Sequence, residues 1–241
     1  MADYRWDRRA SFPCTRGPTP ECCRSTRFAR ARQRQRLGNI SDVPTIVTIV
    51  GSSQPSSFTG KALAVVNDEL SRLGLDVSTF DGGTLRLDFP GRPASEDGVR
   101  LRTAVRDAAG VVLSTPEYHG SMSALIKAAI ENMGFPSALQ GKPVALLGVA
   151  AGRIGAVKAV EHLRSVCGHV GALVVPNAIS IANVREAFDA SGRVTDPATE
   201  ESLRGLARSL ESFMRDYVCP KFVLEAAVRE GAVAPPWTAT V

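Results

Sequence analysis

One stretch of the sequence, TPEYHGSMSALIKAAIE at positions 115–131, combines aromatic, imidazole and hydroxyl side chains with a glycine. It follows a short apolar run at 110–114, which predicts a buried strand, and it leads into a helical apolar pattern at 124–133. In open parallel α/β sheets, ligands bind beside the loops that follow the carboxyl ends of the strands. Gly120 has no Cβ and lets the backbone approach a ligand closely, and Pro116 stiffens the chain before it. The stretch therefore predicts a loop that holds the edge of a flat ligand.

A second stretch, GSSQPSSFTG at 51–60, is rich in hydroxyl groups and follows the β-branched run TIVTIV at 45–50. The run predicts a central strand, and the residues that follow the hydroxyl-rich stretch predict a helix to about Leu73. Hydroxyls and backbone N–H groups at the start of a helix bind anions, so this loop predicts a phosphate site. Neither GxGxxG nor GxxxxGK[ST] occurs in the chain, which disfavours Rossmann-type dinucleotide sites and P-loops.

Both stretches resemble binding loops of the NADPH-dependent FMN reductase family, whose members have a flavodoxin-like fold. The first resembles the family's TPEYNGSxPGxLKNAID loop and helix. It matches at Thr115, Pro116, Glu117, Tyr118, Gly120, Ser121, Lys127, Ala129 and Ile130, and it departs at His119, Ser123, Ala124, Ala128 and Glu131.

The second stretch resembles the family's GSxRxxSxN loop, which holds the phosphate of FMN. Gly51, Ser52, Ser57 and Phe58 fit this pattern. Gln54 stands where the family usually has arginine, and Thr59 stands where it usually has asparagine. The missing arginine removes a charge-assisted phosphate contact.

A third loop, AGRIG at 151–155, follows the apolar run PVALLGVA at 143–150. The family has a glycine-rich SxGGxGG turn here, beside the isoalloxazine ring. Gly152 and Gly155 fit that turn, whereas Ala150 and Ala151 are less permissive. The resemblance implies no catalytic acid–base residue and no metal. It implies cofactor binding by Ser52, Gln54, Ser57, Phe58 and Thr59 near the phosphate, by Pro116, Glu117, Tyr118, His119 and Gly120 near the ring, and by Ala151 and Gly152 at its other edge.

Five strand–helix units in series predict an α/β fold with a five-stranded, doubly wound parallel sheet and helices on both faces. In the flavodoxin-like strand order 2-1-3-4-5, the three loops meet at one switch point. The predicted strands are 45–50, 75–80, 110–114, 143–150 and a fifth within 172–181, and the last predicted helix is 198–217. The reductase domain is predicted at 42–218, with a tail at 219–241 that has one or two helical turns around 223–229.

Positive charge is concentrated at the amino terminus. Ten of the 29 Lys and Arg residues and three of the 24 Asp and Glu residues lie within 1–40, so the remainder holds 19 basic and 21 acidic residues. The mildly acidic remainder argues against a nucleic-acid-binding fold. Residues 1–41 have no apolar period and predict a disordered, Arg-rich extension. An organelle transit peptide, an arm for anionic partners and an extension from a misplaced start codon are the alternatives.

The cysteines and the apolar runs bear on location. Five cysteines, without CxxC spacing, indicate a reducing compartment, and no apolar run reaches the ~18 residues of a membrane helix. No apolar segment of a secretory signal follows the basic amino terminus. A cytoplasmic protein without a membrane or nucleic-acid partner is the expectation.

The resemblance implies an FMN-dependent NAD(P)H oxidoreductase. NADPH or NADH would be the co-substrate, and hydride would pass through the flavin to a small acceptor. Free flavin, a quinone, an azo compound and a metal oxyanion are all open as acceptors. The alternative is a flavodoxin-like electron carrier that binds FMN without NAD(P)H reductase activity. The resemblance also implies self-association to a dimer or tetramer.

Overall fold

The computed structural model describes residues 43–229, and a twisted sheet forms their centre. Its parallel strands stand in the order β2-β1-β3-β5-β6; β7 also pairs with β5, and β4 pairs antiparallel with β3. The strands are β1 (Thr45–Val50), β2 (Asp76–Asp81), β3 (Gly110–Tyr118), β4 (Ser121–Met122), β5 (Pro143–Val149), β6 (Leu173–Val174) and β7 (Ile179–Ile181).

Helices connect the strands and cover both faces of the sheet. Serine hydroxyls cap the first three at their amino termini, and Asp196 caps the fifth. A π-helical segment, Met214–Val218, joins the last two. The helices are α1 (Phe58–Arg72), α2 (Glu96–Asp107), α3 (Ala124–Glu131), α4 (Val157–His169), α5 (Pro197–Phe213) and α6 (Cys219–Arg229).

Two apolar cores hold these layers together, one on each face of the sheet. Ile46 and Val50 of β1 face α1 and α5, whereas Val47 and Ile49 face α2, α3 and α4. This alternation follows from the period of two in a strand, so β1 is buried on both sides. No helix within residues 43–229 is long and apolar enough to cross a bilayer.

The predicted doubly wound order 2-1-3-4-5 is confirmed when β6 and β7 are counted as two halves of the fifth strand. Those halves pair with different parts of β5 and are separated by a break at 175–178, whereas the sequence predicts one strand there. A helix at Cys219–Arg229 covers the first part of the predicted tail and is longer than the one or two turns predicted around 223–229, while residues 230–241 lie outside the described residues. Pro220 lies in its first turn, where proline is tolerated, and so does not end the helix. The predicted extension at 1–41 lies outside the described residues.

Because β1, β3 and β5 are parallel, the loops that follow them leave the same edge of the sheet. Val50 aligns with Ser114 of β3, and Pro116 aligns with Val149 of β5. The chain just after β1 is still paired with β3, since the Gly51 amide donates to the Ser114 carbonyl at 2.8 Å. A Cβ on Gly51 would lie 2.3 Å from that carbonyl oxygen and from Ile126 Cγ1. Position 51 therefore has room for glycine but not for a residue with a Cβ atom.

Gly51→Ala is expected to lower the free energy of unfolding by about 1–3 kcal/mol, because the added methyl group overpacks a site bounded by backbone. Gly168→Ala is the matched control, since nothing lies within 4 Å of a Cβ at that helical position. Alanine there should raise stability by roughly 0.5–1 kcal/mol. Urea unfolding of both variants measures the difference, and equal stabilities would contradict the close contact at Gly51.

Candidate functional site

The loop after β1 ends at the start of α1 with free hydrogen-bond donors. Ser57 is the N-cap, and its Oγ accepts from the Gly60 amide at 3.1 Å. The amides of Phe58 and Thr59 make no hydrogen bond to any residue within 43–229. The first turn carries no acidic side chain. Free amides at the positive end of a helix dipole, without a neighbouring carboxylate, suit an anion.

The other predicted residues of this loop differ in their surroundings. Ser52 is buried, and its Oγ accepts from the amide of Gln54, which is exposed. The Phe58 ring packs against Phe188 with 6.1 Å between centroids, so it faces the core below the loop. Thr59 is 2% exposed, and its hydroxyl makes no hydrogen bond to a described residue. An unpartnered hydroxyl in such a buried place is available to a ligand.

The segment predicted as a loop after Ser114 is a β-hairpin, so that prediction is wrong. β3 continues through Tyr118 and turns at His119 and Gly120, which have φ of 51° and 71°. Two left-handed residues in succession are typical of a tight hairpin turn. Pro116 is buried within β3, beside Val149 of β5. On the side of β3 that faces β1, the pairing between the two strands ends at Ser114. Pro116 lies beyond that point, so its missing N–H removes no hydrogen bond between β1 and β3.

Two polar contacts fasten this hairpin to α4. Glu117 Oε2 accepts from the Ala159 amide at 3.1 Å. This bond caps α4, whose own N-cap residue, Ala156, has no side-chain oxygen. Ser121 Oγ lies 3.0 Å from His162 Nδ1. The Glu117 carboxylate, predicted near the ring, therefore acts on the protein backbone here. The role of His162 was missed, because a contact 41 residues apart leaves no local pattern.

Ser123 ties the hairpin to the loop after β1. Its Oγ donates to the Gly51 carbonyl at 2.6 Å and accepts from the Ile126 amide at 3.2 Å. Its amide donates to Thr115 Oγ1 at 3.0 Å, and the Thr115 hydroxyl donates to the Pro116 carbonyl. Ser123 and Thr115 are both buried. Ser123 was absent from the predicted site, although a serine before a helical pattern is a readable N-cap signal.

The turn after β5 forms the third part of this edge. Ala151 and Gly152 are exposed, and nothing lies within 4 Å of a Cβ at Gly152. Gly155 has φ of 78°, and a Cβ there would meet Ser180 Oγ at 2.6 Å. Ser180 Oγ instead accepts from the Ala156 amide at 2.8 Å. Gly155 is thus the glycine that this turn requires, while Gly152 leaves open space beside it.

A cavity of about 800 Å³ opens beside the start of α1. Gln54 and Ser57 line it, together with Lys61 and the segment 191–194, while the predicted residues of the hairpin and of the turn after β5 do not. An open rim is formed instead by the exposed members of that set, Tyr118 (46% exposed), His119, Ala151 and Gly152. The predicted site is therefore an edge with three separate parts, and the cavity adjoins only its phosphate end.

Metal and thiol chemistry find little support in the part of the chain that the structure describes. Residues 43–229 contain no group of three or more His, Cys, Asp or Glu side chains arranged to hold a metal ion. Burial raises the pKa of the Cys167 thiol to about 12, so this thiol stays protonated at neutral pH and is a poor nucleophile.

Residues 44–186 match the family model described as NADPH-dependent FMN reductase. The chain belongs to this family. An NAD(P)H-dependent FMN reductase of Pseudomonas aeruginosa is 33% identical over 187 residues, covering 73% of this chain and 98% of that protein. A 2-hydroxy-1,4-benzoquinone reductase of a Burkholderia species is 29% identical and covers 71% of this chain and 96% of that protein.

Solved structures of flavoproteins have the same architecture. FerB, a flavoenzyme NAD(P)H:acceptor oxidoreductase from Paracoccus denitrificans, superposes with a TM-score of 0.61 at 28% identity, covering 73% of this chain and 99% of that one. An archaeal flavodoxin, at 12% identity and a TM-score of 0.52, shares the fold. Membership of the FMN reductase family confirms the predicted oxidoreductase class, with FMN as cofactor and NAD(P)H as co-substrate.

The residues at the start of α1 fit the phosphate of FMN. The free amides of Phe58 and Thr59 and the unpartnered Thr59 hydroxyl offer donors, and the first turn has no carboxylate to repel an anion. At the hairpin, the left-handed turn presents backbone at the open edge of the sheet. FMN bound here would be anchored by its phosphate at the start of α1, and the rim would orient its ring.

Ser123→Ala is expected to weaken FMN binding several-fold and to lower the free energy of unfolding by about 1–3 kcal/mol, because the Gly51 carbonyl and the Ile126 amide lose their partner. Ser95→Ala is the control. Ser95 caps α2 through the Gly98 amide at 3.1 Å but touches no predicted site residue. Its removal should cost about 1 kcal/mol and leave the FMN dissociation constant unchanged. Equal FMN affinities of the two variants would show that the Ser123 tie does not shape the site.

Gly120→Val is expected to lower both FMN affinity and NADPH oxidation, because a β-branched residue resists the left-handed φ of 71°. Displacing the ring by about 1 Å costs on the order of 100-fold in rate. His119→Asn should be mild, since asparagine tolerates a φ of 51° well. FMN titration and steady-state rates measure both variants. The hairpin does not hold the ring if Gly120→Val keeps full flavin and rate while His119→Asn loses them.

Proposed function

We propose that this FMN-dependent NAD(P)H oxidoreductase reduces small planar acceptors of the quinone class. The observation that carries the proposal is the arrangement of three loops at one sheet edge, with anion-binding donors at one end and an exposed rim at the other. A flat molecule needs an open, partly apolar rim for stacking. Tyr118 is 46% exposed and Ile154 is 85% exposed, on two of the three loops.

The cofactor supplies the chemistry of hydride transfer when it is bound. The protein's contribution is to bind and orient. When FMN is bound, its phosphate would be held by the hydroxyls of Ser57 and Thr59 and by the amides at the start of α1, and the 118–120 turn would meet the ring edge. Glu117 and Ser121 keep that turn in place through α4. No residue is required to donate or remove a proton in this arrangement.

The choice of quinones over azo compounds rests on coverage among relatives. The benzoquinone reductase aligns over 96% of its own length, whereas azoreductases of a Bacillus species and of Staphylococcus aureus align over 64% and 73%. NADPH is the proposed donor, because the matching family is named for it. The proposed location is the cytoplasm.

Self-association to a dimer or tetramer is part of the proposal. Large apolar side chains are exposed around the sheet edge and beyond α3, with Phe89 at 65%, Ile154 at 85% and Phe135 fully exposed. Such side chains favour contact with a second subunit where they form one contiguous patch. A symmetric oligomer would cover them, and light scattering at micromolar concentration tests its existence.

The purified protein, loaded with FMN under anaerobic conditions, should lose its visible flavin absorbance when NADPH is added and regain it when benzoquinone is added. NADH, an azo dye and free flavin are the comparison substrates, and the highest kcat/KM is expected for NADPH with the quinone. Bound FMN that neither nucleotide bleaches would instead identify an electron carrier of the flavodoxin type. A higher kcat/KM for the azo dye would overturn the acceptor class alone.

A further inference from the structure

Lys61 holds a positive charge at the amino-terminal end of α1. It is the fourth residue of the helix, but its Nζ lies only 4.9 Å from the centroid of the ring of Phe58, the first residue. Side chains in a helix point toward its amino terminus, so the ammonium group is folded back toward the first turn of α1. Lys61 also lines the same cavity as Gln54 and Ser57.

The side chain is held in this position from two sides. The Phe58 ring below the ammonium is itself fixed against the buried Phe188. On the other side lies Gly192, where a Cβ would be 3.6 Å from Lys61 Cε and 3.7 Å from its Cδ. Contacts along the methylene chain limit its rotamers, so a ligand that binds the ammonium orders few further groups.

Lys61 is the cation of the cavity lining without a carboxylate partner among the described residues, although the Asp81 carboxylate, which accepts from the Gly83 amide, lines the same cavity. The other cations that line the cavity have carboxylate partners, since Arg193 pairs with Asp189 and Arg204 pairs with Asp68 and Glu200. Lys61 forms no ion pair within residues 43–229. A cation at the positive end of a helix dipole is unfavourable, and the first turn has no acid to offset it. The arrangement favours an anion.

A buried hydroxyl supplies a second indication of a ligand. Thr59 is 2% exposed and its hydroxyl has no partner among the described residues. Among the described residues, one fully enclosed side-chain N or O atom lacks a hydrogen-bond partner, and it is Asn67 Oδ1. The Thr59 oxygen also lacks a partner among these residues, so it must keep a small accessible area. The Thr59 hydroxyl therefore reaches the surface at the start of α1, close in sequence to Lys61.

We propose that Lys61 is the cation that binds the phosphate monoester of FMN, in place of an arginine at Gln54. This assignment rests on the proposed FMN-dependent function. Gln54 is neutral and its side chain makes no hydrogen bond to a described residue, so the loop itself supplies no charge. Lys61 brings the missing charge from the helix, and the amides of Phe58 and Thr59 complete the donor set.

The test compares FMN with riboflavin, which has the same ring without the phosphate. Lys61→Gln should weaken FMN binding roughly 10-fold or more, because a charge-assisted contact is lost, and should leave riboflavin binding unchanged. Binding of FMN to Lys61→Gln should also depend less on salt. Arg72→Gln is the control, since it removes one positive charge from the same helix roughly 16 Å away. It should bind both flavins like the wild type.

A rescue variant separates a direct role in phosphate binding from a general loss of structure. Gln54→Arg in the Lys61→Gln background should restore most of the FMN affinity and again leave riboflavin unaffected. Equal FMN affinities of wild type and Lys61→Gln would overturn the role of Lys61 while leaving the reductase intact. Equal loss of both flavins would also overturn it, since it would show a structural role. A wild-type protein that binds neither flavin would overturn the proposed function itself.

Discussion

The hydroxyl group of Ser123 sets the relative position of the two loops on which the site depends. Parallel strands bring loops to the same edge of a sheet, but they do not fix those loops to one another within an ångström. The bond from Ser123 Oγ to the Gly51 carbonyl does so, in a buried place where a lost partner is costly. The same oxygen caps α3 by accepting from the Ile126 amide, so one hydroxyl group links the helix after the hairpin to the loop before α1.

A division of labour among polar groups follows from this constraint. Glu117, Ser121 and Ser123 satisfy the protein's own backbone or side chains, and they fix the hairpin against α3 and α4. At the start of α1, by contrast, two amides and a hydroxyl have no such partners among residues 43–229, and Lys61 adds a positive charge that forms no ion pair with them. Groups without partners in a well-packed region are costly unless a ligand engages them. Of the three parts of the edge, the start of α1 is therefore the one whose polar groups most favour a bound anion.

The sequence predicted the central strands and the strand order because those strands are buried on both faces and appear as apolar runs, as in Thr45–Val50 and Pro143–Val149. It did not predict the hairpin. β4 has only two residues, too few for a periodic pattern, and the turn uses His119 where asparagine or glycine would have signalled a left-handed φ. Contacts such as that between Glu117 and Ala159 join residues 42 positions apart and are visible only once the chain is folded. The roles of the twelve predicted cofactor-binding residues stay predictions.

A crystal structure of the FMN complex tests the central claim most directly. The phosphate oxygens are expected within about 3 Å of the amide nitrogens of Phe58 and Thr59. The ring is expected to lie along the backbone of Tyr118–Gly120, with the Ser123 tie intact beneath it. A phosphate bound away from the start of α1, or a ring that does not touch the hairpin, would contradict the account.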